Sequence, residues 1–187
     1  MTDDEFYVPL NIPDPRAELR NEDVDRALTL VGTHPYFNGK HFHIPSSLVE
    51  IIEKIGLKIN PERSFMFRLI PNGTGGIHLD GNLKSIRPHG INFSWNAART
   101  EMHWFEKKQP DDYIFHNSVL LPYFNPDRSK LVFSKILTGC NLVNLTYPHR
   151  VKNLTNENRL SLSIGIAEDL SWDEFKKVLQ DNGLVKS

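Results

Sequence analysis

The order of hydrophobic and polar residues changes twice along this chain. Near both ends the apolar residues recur at intervals of three and four, which is typical of amphipathic helices. Between residues 64 and 167 they fall into short runs that end at glycine, proline or asparagine, which is typical of strands joined by turns. We therefore predict strands at 65–70, 77–80, 91–95, 102–105, 131–133, 142–146 and 160–166.

Three helices are predicted, at 23–31, 46–55 and 171–182. The second and third each contain a serine followed three residues later by a glutamate, a capping box, and each ends at a glycine (Ser47, Glu50 and Gly56; Ser171, Glu174 and Gly183). The first 20 residues contain three prolines and are predicted to form an extended arm. Many strands flanked by helices indicate a mainly β protein, a sandwich or barrel with the helices packed outside.

Length and composition fit a single folded domain. The 187 residues suit one domain, with an N-terminal arm and helices at 1–60, a β core at 64–167 and a C-terminal helix at 171–187. The formal net charge of -1 provides no electrostatic footprint for nucleic acid or an acidic membrane. The single cysteine, Cys140, cannot form an internal disulfide, and neither a leader nor a membrane-spanning run is visible. We expect a cytoplasmic protein.

One predicted strand alternates perfectly between apolar and polar or small residues. From Arg159 to Ile166, leucine or isoleucine occupies every second position. Successive side chains on a strand point to opposite faces, so Arg159, Ser161 and Ser163 share one face. The ordinary interpretation is a sheet with one solvent-exposed face, and the alternative is a barrel whose polar face points inward onto a ligand. The strand by itself favours the first.

The chemistry of the chain centres on His78 and Asp80. Residues two apart on a strand project to the same side, so an imidazole and a carboxylate there could bind one metal ion. A second histidine, from a distant strand, would complete a facial triad that leaves half of an octahedral ion open. His149, which follows a predicted strand, is the candidate. His-x-Asp alone is a weak signal, but here it lies between a glycine-rich turn and Gly81.

Arg159 makes the pattern more specific. It lies ten residues after His149 and is the only charged residue of the alternating strand. A buried, inward-facing arginine requires an anion, and a carboxylate can accept a paired, charge-assisted hydrogen bond from it. Ser161, on the same face, offers a hydroxyl donor.

The segment from His78 to Ile166 resembles the double-stranded β-helix core of the Fe(II)- and 2-oxoglutarate-dependent oxygenases. It is most similar to the aspartyl/asparaginyl β-hydroxylase and prolyl hydroxylase branches, where the second histidine and the basic residue have this ten-residue spacing. The resemblance implies a jelly-roll, cupin-like core with flanking helices. It also implies Fe(II) held by His78, Asp80 and His149, 2-oxoglutarate held by Arg159 and Ser161, and O2 as the oxidant.

The same resemblance implies that 2-oxoglutarate decarboxylation is coupled to hydroxylation of an amino-acid side chain, free or in a peptide. Arg87 and His89, nine and eleven residues after His78, look like the Arg-x-His of the aspartyl/asparaginyl β-hydroxylases. There, these positions face the carboxylates of co-substrate or substrate, although Pro88 fits poorly inside a paired strand. Asn92 could bond the co-substrate or serve as a structural amide.

Two other functions stay open on the sequence. One is a double-stranded β-helix binding module without turnover. The other is a cupin-like metalloenzyme that does not use 2-oxoglutarate, which would have no reason to place Arg159 at this position. In every case we expect a small-molecule or peptide partner rather than nucleic acid or a membrane.

Overall fold

The computed structural model describes residues 2–29, 36–38, 42–82, 85–96, 98–116 and 119–186. Over these residues it contains three α-helices: α1 (Asn21–Thr29), α2 (Ser46–Lys54) and α3 (Trp172–Asp181). Short 3-10 helices cover Asp3–Glu5, Pro15–Glu18, Pro61–Arg63 and Pro126–Arg128. The strands, in chain order, are β1 (Tyr7–Pro9), β2 (Tyr36–Asn38), β3 (Phe65–Leu69), β4 (Ile77–His78), β5 (Gly81–Asn82), β6 (Ser85–Ile86), β7 (His89–Trp95), β8 (Thr100–Phe105), β9 (Asp112–His116), β10 (Val119–Phe124), β11 (Leu131–Ile136), β12 (Gly139–Asn144), β13 (His149–Asn153) and β14 (Arg159–Ile164).

These strands pair antiparallel in two large sheets. The first sheet has the order β1-β12-β7-β14-β3-β2 and the second has the order β11-β8-β13-β4-β10-β9. Strands β5 and β6 form a separate two-stranded hairpin. The predicted mainly β architecture with flanking helices is therefore confirmed. Among the helices of the described residues, none is both long enough and apolar enough to cross a membrane.

The largest hydrophobic core lies between the first sheet and the helices. Leu162 of β14 and Phe93 of β7 pack there with Ile52 of α2 and Phe175 of α3, all at most 1% exposed. Cys140 lies in the same core, where burial raises the pKa of its thiol. A second cluster joins the two sheets, because Val143 of β12 packs with residues of β8. The molecule thus has helices, first sheet and second sheet in successive layers.

The polar face of β14 is buried, so the interpretation of a solvent-exposed face is wrong. Ser161 is 3% exposed and Ser163 is 2% exposed. The apolar side chains of β14 already pack toward the helices, and its polar side chains project from the opposite face of the strand. That face borders the space between the two sheets, because the side chain of Val143 lies on the same face of the first sheet and packs against the second sheet. Buried hydroxyl and guanidinium groups there need polar partners.

The N-terminal region departs from the predicted arm. Tyr7–Pro9 pairs with β12, Tyr36–Asn38 pairs with β3, and Phe6 is fully buried between the sheets. The predicted helix at 23–31 begins at Asn21, and residues 30 and 31 lie outside the described residues. Sequence patterns overlooked these two strands because three residues are too few to show a period.

The two predicted capping boxes have different outcomes. The box at the start of α3 is confirmed: Ser171 accepts from the Glu174 amide, and the Glu174 carboxylate accepts from the Ser171 amide. The box at the start of α2 is wrong, because Pro45 is the N-cap and the Ser47 amide donates to the Glu18 carboxylate at 3.1 Å. A tertiary contact therefore replaces the local one.

Gly165 allows the end of β14 to pass close to the turn before β3. A Cβ added there would overlap the Arg63 carbonyl oxygen and lie 2.5 Å from the Arg63 Cβ. We expect Gly165→Ala to lower the free energy of unfolding by about 1–3 kcal/mol, since the backbone must shift. Thermal unfolding measures this, with Gly76→Ala as the control because no atom lies within 4 Å of its added Cβ. Equal melting of the two variants would contradict the close approach.

Candidate metal centre

His78 and His149 lie directly opposite each other in the second sheet. His78 ends β4, His149 begins β13, and the two residues pair across these antiparallel strands. Their ring centroids are 4.6 Å apart. Asp80 follows β4 by two residues, and one ligand atom from each of the three residues lies within 4.8 Å of the others. The structure therefore brings the predicted triad together, in an arrangement compatible with metal binding.

Backbone carbonyls orient both imidazoles. Nδ1 of His78 lies 2.9 Å from the Gly76 carbonyl oxygen, and Nδ1 of His149 lies 2.9 Å from that of Tyr147. A carbonyl only accepts, so each Nδ1 carries the hydrogen and each Nε2 is left with its lone pair. The Nε2 atoms lie 3.3 Å (His78) and 3.7 Å (His149) from Oδ1 of Asp80. Such second contacts commonly fix the tautomer of a metal-ligating histidine.

The charge at the triad favours a cation. Burial raises the pKa of Asp80, but its contacts with the side chains of His149 and His78 outweigh the effect of burial and hold that pKa well below its usual range. Burial lowers the pKa of His78, yet its contact with Asp80 raises it overall. The carboxylate is therefore ionised at neutral pH and faces two lone pairs. Three such donors converging on one point are stabilised by a proton or a metal ion between them.

Short loops hold the triad in place. The glycine-rich turn before β4 is tied to β13, because the Gly75 amide donates to the Val151 carbonyl and the Asn153 amide donates to the Gly73 carbonyl. On the other side, the Arg87 amide donates to the Asp80 carbonyl at 3.0 Å and closes the β5–β6 hairpin. The side chain of His149 is only 4% exposed, whereas His78 is 35% exposed. The triad is therefore more open to solvent on the His78 side.

One row of side chains crosses the second sheet at the level of the triad. Trp104 pairs with His149, and Tyr123 pairs with His78, so all four share one face. Trp104 is fully buried and its Nε1–H donates to the Asn144 carbonyl at 2.9 Å, which shows that the row faces the first sheet. Tyr123 is half-buried beside His78. The sequence did not reveal it, because Pro122 argues against the strand that carries it.

Arg159 lies on the buried polar face of β14. It is 9% exposed and its Nη2 donates to Ser94 Oγ at 2.8 Å. Within the part of the chain that the structure describes, its Nε and the Ser161 hydroxyl are buried without a hydrogen-bond partner. Burial lowers the pKa of Arg159 to about 10, so the guanidinium remains charged at neutral pH. Ser94 lies directly opposite Ser161 across β7 and β14.

Asn92 and Arg87 lie on the same side of the first sheet. The Ser163 hydroxyl donates to Oδ1 of Asn92, which pairs with Ser163 across β7 and β14. Arg87 precedes β7 and is 4% exposed. Its Nε–H donates to the His89 carbonyl at 3.1 Å, and the charge of Asp80 acts on it. Pro88 precedes β7, so it does not interrupt the strand.

His89 lies on the other face of β7, and the predicted pairing of Arg87 and His89 on one face is wrong. Its Nε2–H donates to the Leu170 carbonyl at 2.8 Å, and its ring lies 4.6 Å from that of Phe175. Along β7, His89 lies on the opposite face from Gly90 and on the same face as Ile91, whose side chain packs toward the helices. The Arg-x-His spacing suggested a shared face, but Arg87 lies before the strand, where the alternation does not apply.

Comparison with known proteins adds little to this geometry. No family model matches the chain, and no curated protein matches it. The solved X-ray structure of E. coli ycfD superposes with a TM-score of 0.41 and 11% sequence identity, covering 95% of this chain and 54% of that one. The chain therefore spans about half the length of that structure. So weak a likeness supports no statement about activity, which has to be inferred from the site itself.

The triad predicts a metal affinity that depends on Asp80. We expect Asp80→Ala to weaken binding of Fe(II), or of Mn(II) as an air-stable substitute, by at least about 100-fold, because the charged ligand is lost. Anaerobic titration calorimetry measures the affinity and the stoichiometry. The exposed carboxylate Asp127 supplies the matched control, Asp127→Ala, which should bind one ion like the unchanged protein. Unaltered affinity in Asp80→Ala would rule out this ligand set.

The burial of His89 should make the protein less stable in acid. Burial lowers its pKa from 6.5 to about 4. Between these values the unfolded chain binds a proton that the folded protein does not, so the free energy of unfolding falls as the pH drops, by up to about 3 kcal/mol from this group. His89→Gln, which keeps a donor for the Leu170 carbonyl, should flatten this slope between pH 6.5 and 4 in chemical denaturation. The same slope in both proteins would contradict the buried neutral imidazole.

Proposed function

We propose that this protein is an Fe(II)- and 2-oxoglutarate-dependent oxygenase whose two sheets form a double-stranded β-helix core. The observation that carries the proposal is the convergence of His78, Asp80 and His149, together with a buried guanidinium, Arg159, that has no acidic partner among the described residues. Two imidazoles and one carboxylate are the ligand set of non-haem Fe(II) oxygenases, and they leave coordination positions free.

The residues present fit both the metal and the co-substrate. The Nε2 atoms and the Asp80 carboxylate would hold Fe(II), with the exposed His78 side left for further ligands. Arg159 has a free Nε, and Ser161 has a free hydroxyl, so a carboxylate of 2-oxoglutarate would meet two buried groups among the described residues that lack a partner. With both groups bound, the metal would supply the oxidising chemistry, in which O2 and 2-oxoglutarate give succinate and carbon dioxide and the second oxygen atom enters the substrate as a hydroxyl group.

The chain's own contribution is orientation and exclusion of water. Ser94 fixes the guanidinium of Arg159 through the 2.8 Å hydrogen bond, and Asn92 fixes Ser163 on the same face. Burial of this face removes competing water and strengthens the attraction between guanidinium and carboxylate. Arg87 offers a second buried cation on the Asp80 side. We propose an amino-acid side chain, free or in a peptide, as the substrate.

Co-substrate turnover tests the proposal. The protein with Fe(II), 2-oxoglutarate and O2 should release succinate, slowly without substrate, and Arg159→Ala should weaken 2-oxoglutarate binding about 10-fold to 100-fold, because a charge-assisted hydrogen bond is lost. Mass spectrometry quantifies succinate and calorimetry quantifies binding. Arg128→Ala, an exposed arginine, serves as the control.

Two results would count against the oxygenase. Metal binding without any affinity for 2-oxoglutarate would favour a metalloenzyme of another type. Binding of both without succinate release, in the presence of O2 and a library of amino acids and peptides, would favour a binding module.

A further inference from the structure

Gly90 lies in the interior of β7, where glycine weakens a strand and often marks a close approach by another group. Its φ is not positive, so the backbone conformation does not require glycine. The space above it, however, is already occupied by another side chain. A Cβ added to Gly90 would overlap Nη2 of Arg87 and lie 3.0 Å from the Arg87 Cζ and 3.1 Å from Ser163 Oγ. The Arg87 guanidinium therefore rests where a side chain at position 90 would be.

The guanidinium held there is buried but only partly bonded. Nε–H donates to the His89 carbonyl, and the Cζ lies 6.0 Å from the centre of the Phe65 ring. Both terminal nitrogens, Nη1 and Nη2, are buried without a hydrogen-bond partner among the described residues. Leaving such donors unpaired in a buried site costs free energy, and two parallel N–H groups match the two oxygens of a carboxylate.

Arg87 and Arg159 mark two separate positions on one face. Arg159 bonds Ser94, and Arg87 lies against Gly90. Gly90 and Ser94 are four residues apart on β7, which places their Cα atoms about 13 Å apart. The two guanidinium groups therefore rest against different parts of the strand and can address different anionic groups.

We propose that Gly90 is a positioning residue: by lacking a side chain, it holds the Arg87 guanidinium with both terminal nitrogens facing a second carboxylate-binding position between the two sheets. The position rests on the geometry around Gly90. Only the identity of the carboxylate, whether it belongs to the co-substrate or to the substrate, rests on the proposed oxygenase function.

A double-mutant cycle tests whether Gly90 acts through Arg87. The variants are Gly90→Ala, Arg87→Lys and the double variant, each loaded with Mn(II) and titrated with 2-oxoglutarate and, separately, with L-aspartate. We expect Gly90→Ala to weaken binding of at least one probe about 10-fold, and Arg87→Lys to do the same. In the Arg87→Lys background the added methyl group should weaken binding of the same probe by less than about threefold, because the planar guanidinium that it would displace is gone.

The two probes distinguish the source of the carboxylate. A loss of 2-oxoglutarate affinity assigns the position to the co-substrate. A loss of L-aspartate affinity with unchanged 2-oxoglutarate binding assigns it to the substrate. Mn(II) affinity should stay within about threefold of the unchanged protein in all variants, since neither residue is a ligand. Unchanged binding of both probes in Gly90→Ala, or losses that simply add in the double variant, would overturn the proposal.

Thermal unfolding gives a readout that does not depend on any ligand. Gly90→Ala should lower the melting temperature in the Arg87 background and lower it less in an Arg87→Ala background, where the vacated space accepts the methyl. If Gly90→Ala fails to fold, recovery of a folded protein in Gly90→Ala/Arg87→Ala supports the contact, and failure of that double variant contradicts it. If the double-mutant cycle shows the expected coupling but the protein produces no succinate, the oxygenase function is rejected while the role of Gly90 stands.

Discussion

The pairing of β4 with β13 is the constraint on which the site depends. It places His78 opposite His149, and in each residue a backbone carbonyl two positions earlier holds the hydrogen on Nδ1. The Nε2 lone pairs consequently point at the Asp80 carboxylate, an arrangement that is favourable only when positive charge lies between them. A one-residue shift in this register would turn one imidazole to the other face of the sheet, so the three side chains would no longer converge.

The rest of the fold supports this arrangement from the opposite sheet. The first sheet is apolar toward the helices and polar toward the triad, because β7 and β14 alternate in phase, with Leu162 opposite Phe93 and Ser161 opposite Ser94. Burying hydroxyl and guanidinium groups is costly without partners, and a scaffold gains nothing from that cost. We therefore propose that the buried polar face is a ligand surface. Two guanidinium groups on it match a ligand set with more than one carboxylate.

The sequence predicted the elements with strong periods and all three residues of the His78, Asp80 and His149 triad. The alternation of β14, the helical stripe of α3 with its Ser171 cap, and the His-x-Asp spacing are local features, so they can be recognised without neighbours. The choice of His149 came from spacing that resembles a known family. Strand pairing carries no such local signal, and this is why Tyr123 was missed: it becomes a neighbour of His78 only through the register of β10 and β4.

Tertiary contacts also explain the errors. The Ser47 amide bonds Glu18 rather than a local cap, and Phe6 and Tyr7–Pro9 join the β structure although their segment looked like an arm. His89 turned away from the site because β7 begins at that residue, after Pro88. In each case a distant partner decided the outcome, and no pattern within a short window contains that partner.

Energetic coupling between metal and co-substrate tests the central claim most directly. Calorimetric titration of 2-oxoglutarate into metal-free and into Mn(II)-loaded protein measures that coupling under conditions where no turnover occurs. If the triad and Arg159 bind the two ends of one molecule, the metal-loaded protein binds 2-oxoglutarate at least about tenfold more tightly. Equal affinity with and without metal would mean that the two sites do not share a ligand, and would contradict the oxygenase assignment.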